Sequence, residues 1–584
     1  MEDKKYKFAI IGVGPRGSYA LECLLFALAR LDNASDFRIL LFEDSSLLGG
    51  GPVYRQDQPD TNWINITERA LDLPARLAIK INGIVVPRFP GYHEWSNLVF
   101  DTWPENRPDS FPPRAKIGLY LNERYNSLTA PLVRAGLIHL VAECVVNIDL
   151  KGNSCILTTV SKEKYSAQDV LLTVGHQPTE ADDQIAHWLD VSKTCPQLSL
   201  HMVPYPIRDL ISNVSTIGPN NIAIRGYGLA MMDVARAFGE TYGKFNTSDG
   251  GTGPITYELS NTEFCLAPFS LDGLAMAPKP YTPLIDAPYV PRDENLNALS
   301  VALHDKRSQI EATGSDFLIG RMVPIIAEVF QSLPRAMSPI VITDQLIEDI
   351  ASQLLRNPDF EHTLLMPRNV HPFETLQSLI DMAMGKSDIY LDYCAGQVWR
   401  HCQPTIYAAL SHSELHDDVL AEIIALDERL KRYSFGPPVE SLQQLLAMYE
   451  AGVLNLDVLH NPEISLDDEG WTLKTESCKF VADTMINSVL DGPKILEITS
   501  PLLKNLLDKE LIQPAHDKLG VLTDSAGYIK SGRDNEFVPI AILGRIAKGT
   551  VIGVDAILEC FGERPMVWAK SAVEKMSQVT SDGS

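Results

Sequence analysis

The chain opens on a short unbroken apolar run, Lys7-Phe8-Ala9-Ile10-Ile11, the pattern of a strand buried on both faces of a parallel sheet. A glycine turn follows. Ser18 to Arg30 then places Ala20, Leu21, Leu24, Leu25 and Leu28 at helical spacing. Phe37 to Phe42 is a second apolar run, ending in Glu43-Asp44. These three pieces predict a β-α-β unit. Gly49 to Pro113 loses periodicity and reads as a long irregular segment, of the kind that carries function in compact domains. Helical spacing returns at Ile117 to Ala135. Strand-like runs follow at Ile138 to Ile148, Ser154 to Thr159 and Val170 to Val174.

A second unit of the same kind begins at Asn221. Ile222 to Arg225 reads as a strand, Gly226-Tyr227-Gly228 as a turn and Leu229 to Tyr242 as a helix. Gly-rich text from Gly243 to Gly253 separates it from a strand at Ile255 to Leu259. Helical periodicity with charged faces dominates 295–465, as in Asp344 to Leu355 and Asp417 to Leu430. Short apolar runs come back at Met485 to Val489, Val538 to Leu543 and Val551 to Leu558. The expected fold is α/β and Rossmann-like. A nucleotide-binding domain takes 1–200 and 466–584, interrupted by a second dinucleotide-type unit at 201–294 and a mainly helical insertion at 295–465.

Length and composition fit this organisation. At 584 residues one hydrophobic core is too few, and 45% apolar with 21% charged residues is ordinary for a globular chain. No apolar run approaches the roughly 20 residues of a membrane span. Met1 to Lys5 leads straight into a strand, so a signal peptide is not expected and a cytoplasmic location is. A net charge of −25 disfavours nucleic acid and anionic membrane as partners. The nine cysteines contain no C-x-x-C pair, which argues against a dithiol redox centre, and no metal site is expected.

The chemistry lies in the turns. In Gly12-Val13-Gly14-Pro15-Arg16-Gly17 the first glycine permits the tight turn, the second lets backbone approach a pyrophosphate, and the third lets helix and strand pack closely. The helix N-terminus then faces the phosphate charge, and Glu43 can accept from ribose hydroxyls. The second turn, with Gly226 and Gly228, has Met231 where the third glycine would stand. It is either a nicotinamide site or a relic without nucleotide.

In these residues the chain resembles a bacterial family of FAD-NAD(P)-binding proteins, distantly similar to N-hydroxylating flavin monooxygenases. The likeness runs nearly end to end. It rests on the first turn, Gly50-Gly51-Pro52-Val53-Tyr54-Arg55, Asn62 and Asn65, and Phe111-Pro112-Pro113-Arg114 with Gly118-Leu119-Tyr120-Leu121. It continues through Leu171 to His176, Arg225 to Ala230 with Asp233, Gly436-Pro437-Pro438, Leu445 to Val453, and Leu543 to Gly549. The resemblance implies FAD on the first turn, with Arg16, Arg55, Asn65, Val174, Gly175, Gly544 and Gly549 among the cofactor contacts. Relatives carry a Ser-Arg-Arg-Gly run suited to a 2′-phosphate, where this chain has Ser270-Leu271-Asp272-Gly273. An aspartate there repels a 2′-phosphate, which leaves NADPH, NADH or no nicotinamide open, although Arg225 and Lys279 could compensate.

Three functions fit. The first is a monooxygenase, in which NAD(P)H reduces FAD and one atom of O2 passes to a small amine or amino-acid-like substrate. The second is a flavin oxidase or dehydrogenase with a vestigial second turn. The third is a non-catalytic FAD-binding protein whose helical region serves a partner. His176 and Arg114 are the catalytic candidates, against a loop histidine and a salt-bridged arginine as the plainer readings. Substrate identity and oligomeric state are not written in these patterns.

Overall fold

The computed structural model describes residues 6–31, 37–100, 103–195, 198–217, 221–247, 254–260, 263–337, 343–467, 469–532 and 537–581. Met1 to Lys5, on which the signal-peptide expectation rests, and 248–253 of the Gly-rich stretch lie outside the described residues.

Two sheets organise the chain, the first mixed and the second parallel. In the first, the strand Tyr6–Ile11 runs parallel to Ile39–Phe42 on one side, with Ile138–Val141 beyond it. On its other side lies Lys164–Leu172, whose last six residues pair parallel with Tyr6–Ile11. The outer edge of that long strand changes partner at Ala167. Before this point it pairs antiparallel with Ser154–Thr159, which hairpins with Val145–Lys151. After it, Val170 to Leu172 accept the late strand Ile540–Ile542 in parallel. The strand interior is apolar because both faces are covered: Phe8, Ala9 and Ile10 are at most 1% exposed. The helix Pro15–Leu28 buries Leu21, Leu24, Leu25 and Leu28 against one face, and the C-terminal helix Arg564–Ser581 packs on it.

The second sheet orders its strands Cys265–Phe269, Asn221–Arg225, Thr484–Asn487 and Ser199–His201, all parallel. This corrects the expected return at 466. Thr484–Asn487 completes the second sheet, and the three-stranded antiparallel Glu463–Asp467, Gly470–Lys474 and Lys479–Ala482 leads into it. The chain rejoins the first unit only afterwards. An apolar run at 485–489 has no feature that says which of the two sheets it enters. The Gly-rich text also begins as a strand, since Gly243–Thr247 pairs antiparallel with Ile255–Leu259.

The helical insertion shares one core with the second unit. Leu229–Tyr242, the second unit's glycine-turn helix, buries Met231, Met232, Val234 and Phe238 in that core and packs on Val439–Glu450. The irregular 49–113 segment carries a small hairpin, Ile79–Ile81 with Ile84–Val86, and a one-turn helix Tyr92–Trp95. It is held by the helix Arg114–Arg134, where Gly118 lies so close that a Cβ would sit 1.8 Å from the Tyr54 carbonyl oxygen. Val551 to Leu558 is loop followed by the short helix Ile557–Cys560.

Candidate dinucleotide and flavin site

Each glycine of the first turn has a separate physical reason. Gly12 has φ +88°, and a Cβ there would lie 2.6 Å from the Thr173 carbonyl oxygen. On Gly17 a Cβ would lie 2.1 Å from the Gly12 carbonyl oxygen. Both positions are closed by protein. Gly14 is open: the nearest atom to its added Cβ is the Gly51 Cα, 3.8 Å away. It is also the residue before a helix that starts at Pro15 with no side-chain cap. The first amides of that helix therefore have no side-chain partner at the place where an anion would lie. Pro15, at the first helical position, withdraws no needed donor.

Glu43 braces this turn. Its Oε2 accepts from the Val13 amide at 3.1 Å and its Oε1 from Ser45 Oγ at 2.8 Å. Thr173 locks the turn from the neighbouring strand, donating its hydroxyl to the Gly12 carbonyl at 2.5 Å. Beyond it Val174 is half-buried, and Gly175, at φ +66°, has no atom within 4 Å of its Cβ position. Gly51, at φ +62°, faces Gly14 across the crevice, its added Cβ 3.5 Å from the Gly14 Cα.

The C-terminal segment closes a further side through Arg16. Its guanidinium donates to the Glu559 carbonyl at 3.0 Å and the Val554 carbonyl at 3.2 Å, while Gly544 packs against its Nε. Arg16 fastens the 544–559 loop over the turn. Gly549 departs from expectation, since a Cβ there would press on Ala515 and Leu519, so its role is to let two loops touch. The same loop carries a dense ion network. Asp555 meets Lys431 at 2.5 Å, Arg545 at 2.6 Å and Lys548 at 2.9 Å, and Glu428 joins Lys431 at 2.7 Å and also Lys548. The three cations hold the Asp555 carboxyl well below the usual range despite its burial.

His176 follows Gly175 and is exposed, with Arg545 and Asp555 near enough to act on its ring. Loss of bulk water around the ring, with Arg545 adding to it, pushes its pKa down to about 4. Its imidazole is neutral at physiological pH, able to accept or donate one hydrogen bond. Arg114 is not available in this way. It meets Asp233 at 2.8 Å and Tyr205 Oη at 3.1 Å, and Tyr205 donates to the same carboxylate at 2.7 Å. The three side chains join the first unit to the second, a structural role for Arg114. One turn along the same helix, Arg236 donates to the Thr61 carbonyl and to Gln444 Oε1, both at 2.6 Å, and stacks 3.7 Å over Trp63. Arg55 is a local surface pair with Asp57 at 2.6 Å. Asn65 also turns away from the first turn, donating to the Phe435 carbonyl at 3.1 Å while its own carbonyl accepts from Lys279. Burial pushes the Lys279 amine down to about 7.

The second turn repeats the first. Gly226 has φ +107°, and its Cβ position is blocked by Ser488 Oγ at 2.7 Å. Gly228, like Gly14, is open, with only Met276 Sδ at 3.9 Å. Met231 in the third-glycine place is fully buried in the core of the helical insertion, which fills the wider gap. The residues present thus fit two dinucleotides: two uncapped helix starts, each preceded by a glycine whose missing Cβ leaves room for a phosphate. Sequence reasoning missed Arg236 and the Asp555 network, because partners such as Thr61 and Lys431 stand 175 and 124 residues away.

The two turns, each joining a parallel strand to an uncapped helix start, make two dinucleotide-type units. In agreement, residues 9–177 match the FAD-NAD(P)-binding family and form an FAD-NAD(P)-binding domain. Along most of its length the chain is similar to nitrosuccinic acid synthase of Aspergillus oryzae, 22% identical over 87% of this chain and 82% of that protein. It is likewise similar to YdhS of Escherichia coli K12, 21% identical over 86% of each. Among solved structures it aligns with an ε-caprolactone-bound cyclohexanone monooxygenase at TM-score 0.46 and 12% identity, covering 99% of this chain and 88% of that one. No helix among the described residues is long and apolar enough to cross a membrane.

Proposed function

We propose that the protein is a flavin-dependent monooxygenase that uses NAD(P)H and O2 to oxygenate, by N-hydroxylation, a small amine or amino-acid-like metabolite. The observation that carries the reading is the pair of matched turns, with both second glycines open. One FAD-dependent centre beside a second dinucleotide unit suits an enzyme whose flavin is reduced by an external nicotinamide and not by its substrate. Similarity to a nitrosuccinic acid synthase supports nitrogen as the atom oxygenated.

The flavin, when bound, supplies hydride acceptance and the activation of O2. The chain's part is positioning. Gly12, Gly14 and Gly17 with Glu43 hold the adenosine diphosphate end, Val174 and Gly175 let the ring system pass, and the loop from Gly544 closes over it. Gly226 and Gly228 hold the second dinucleotide. An amine reacts as its free base, so a neutral proton acceptor is required near it. Lys279, held at about 7 where the first unit, second unit and helical insertion meet, has the basicity for this, whereas His176, at about 4, is neutral and suits hydrogen bonding. The acidic surface fits small-molecule partners better than nucleic acid or membrane, and the absence of a C-x-x-C pair suits a cytoplasmic setting.

A second reading, an oxidase or dehydrogenase reduced by its own substrate, is favoured by Met231 in the third-glycine place. The two separate in one assay. NADH and NADPH oxidation is followed with and without amino acids and polyamines, with hydroxylated product and H2O2 both measured. Product formed in proportion to nicotinamide supports the monooxygenase. H2O2 formed from substrate without nicotinamide overturns it.

A further inference from the structure

The acid that follows the outer strand of the second sheet is not free. Register places Phe269 beside Arg225, and the Gly226 amide donates to the Phe269 carbonyl at 2.8 Å. The 270–276 loop therefore flanks the second glycine turn, with Met276 the nearest neighbour of the Gly228 Cβ position. In a dinucleotide unit this strand end meets the adenosine ribose. An acid there takes the 2′-hydroxyl, and an arginine nearby accommodates a 2′-phosphate.

Both oxygens of Asp272 are engaged. Oδ1 accepts from the Leu274 amide at 3.1 Å and from Ser270 Oγ at 3.4 Å. Oδ2 pairs with Arg432 Nη2. Arg432 comes from the last turn of the helix Asp417–Ser434, 160 residues later, and its carbonyl accepts from the Ala277 amide at 2.9 Å. Main chain and side chain are thus both fixed on the loop. The pair lies at the rim, with Asp272 51% and Arg432 22% exposed. The two other cations close in sequence point elsewhere, Arg225 to Asp182 at 2.6 Å and Asn487 at 3.3 Å, and Lys279 to the Asn65 carbonyl.

We propose that Arg432 is the 2′-phosphate contact of an NADPH site, with Asp272 as the positioning residue that fixes its guanidinium beside the second turn. This rests on reading that turn as a nicotinamide dinucleotide site. A guanidinium has five N–H donors in a rigid fork, so one bond to Asp272 leaves donors for a phosphate. The neutralised pair removes the repulsion that a bare aspartate would impose.

The test is calorimetric titration of the FAD-loaded protein with 2′,5′-ADP and with 5′-AMP, which differ only in the 2′-phosphate. The expected result is binding of 2′,5′-ADP about tenfold or more tighter than 5′-AMP, an ordinary gain for one charge-assisted contact. Arg432→Gln should abolish that ratio and leave 5′-AMP affinity and flavin content unchanged. Arg432→Lys should recover part of the ratio, which a purely structural role would not do. Equal binding of the two nucleotides by the wild type, or a ratio that survives Arg432→Gln, overturns the proposal. So does binding of neither nucleotide by protein that retains its flavin. No turnover enters the measurement, so failed oxygenation leaves this result unaffected. Loss of selectivity alone leaves a monooxygenase fed by NADH.

Discussion

Arg114, at the start of the helix that follows the irregular segment, meets Asp233 on the glycine-turn helix of the second unit at 2.8 Å, with both side chains largely buried. Tyr205 bonds to both and completes the junction. Breaking a buried pair by removing one partner leaves an uncompensated charge and costs about 3–5 kcal/mol. Arg114→Ala should therefore lower stability by that order in urea unfolding and slow flavin reduction by nicotinamide. Replacing Arg114 and Asp233 together by apolar residues should restore most of the stability and not the reduction rate. A single variant with wild-type stability would remove the pair from the junction.

Gly118 tests the closure over the first turn. Alanine is the better helix former, so an exposed helix interior would gain about 1 kcal/mol from the exchange. Here the new Cβ would fall 1.8 Å from the Tyr54 carbonyl oxygen. The overpacking should dominate, with Gly118→Ala losing about 3 kcal/mol and with it the fit of the 50–55 segment over the flavin. Melting temperature and flavin retention report the two effects separately.

Asp169 gives the first sheet a pH dependence. It accepts from Tyr528 Oη at 2.6 Å, its other oxygen is buried without a partner, and burial raises its pKa from 3.8 to about 6. A raised folded-state pKa favours the protonated form. The contribution is complete below the unfolded value and is lost as pH rises through about 6. Asp169→Asn keeps a neutral acceptor for Tyr528. It should match the wild type near pH 4 and exceed it by about 3 kcal/mol near pH 8. Urea unfolding at both pH values checks this, and a gap that does not change with pH contradicts it.

His176 should titrate far below an ordinary histidine. NMR of the thirteen histidines, with His176 assigned by the His176→Gln variant, should show a midpoint at about 4. A midpoint near the ordinary 6.5 would put the ring in bulk water and take it out of the crevice.

The elements that position the site were legible wherever the pattern is local. The strand Tyr6–Ile11, the helix Leu229–Tyr242 and both turns follow from apolar runs and from the glycines between them. What was not legible depends on contacts across the chain. The pairing of Thr484–Asn487 with Asn221–Arg225 is one case, because an apolar run is equally suited to either sheet. The arginines are the other. Arg16, Arg55 and Arg114 all stand in motif-like text, but a guanidinium's role is set by whichever acceptor the fold brings within reach. For these three the acceptors are carbonyls of the C-terminal loop, a neighbouring aspartate and a carboxylate of the second unit. Arg432 was invisible for the same reason.

The central claim, that the first turn holds FAD, is tested most directly by the visible spectrum and flavin content of purified wild-type, Gly14→Leu and Gly17→Leu proteins. The wild type should be yellow and release FAD on unfolding. Gly14 has only the Gly51 Cα, at 3.8 Å, near its Cβ position, so Gly14→Leu should fold and be colourless. Gly17 is closed at 2.1 Å, so Gly17→Leu should lose flavin because the domain itself is destabilised. A colourless wild type that takes up no added FAD, or a Gly14→Leu protein with full flavin content, would contradict the account.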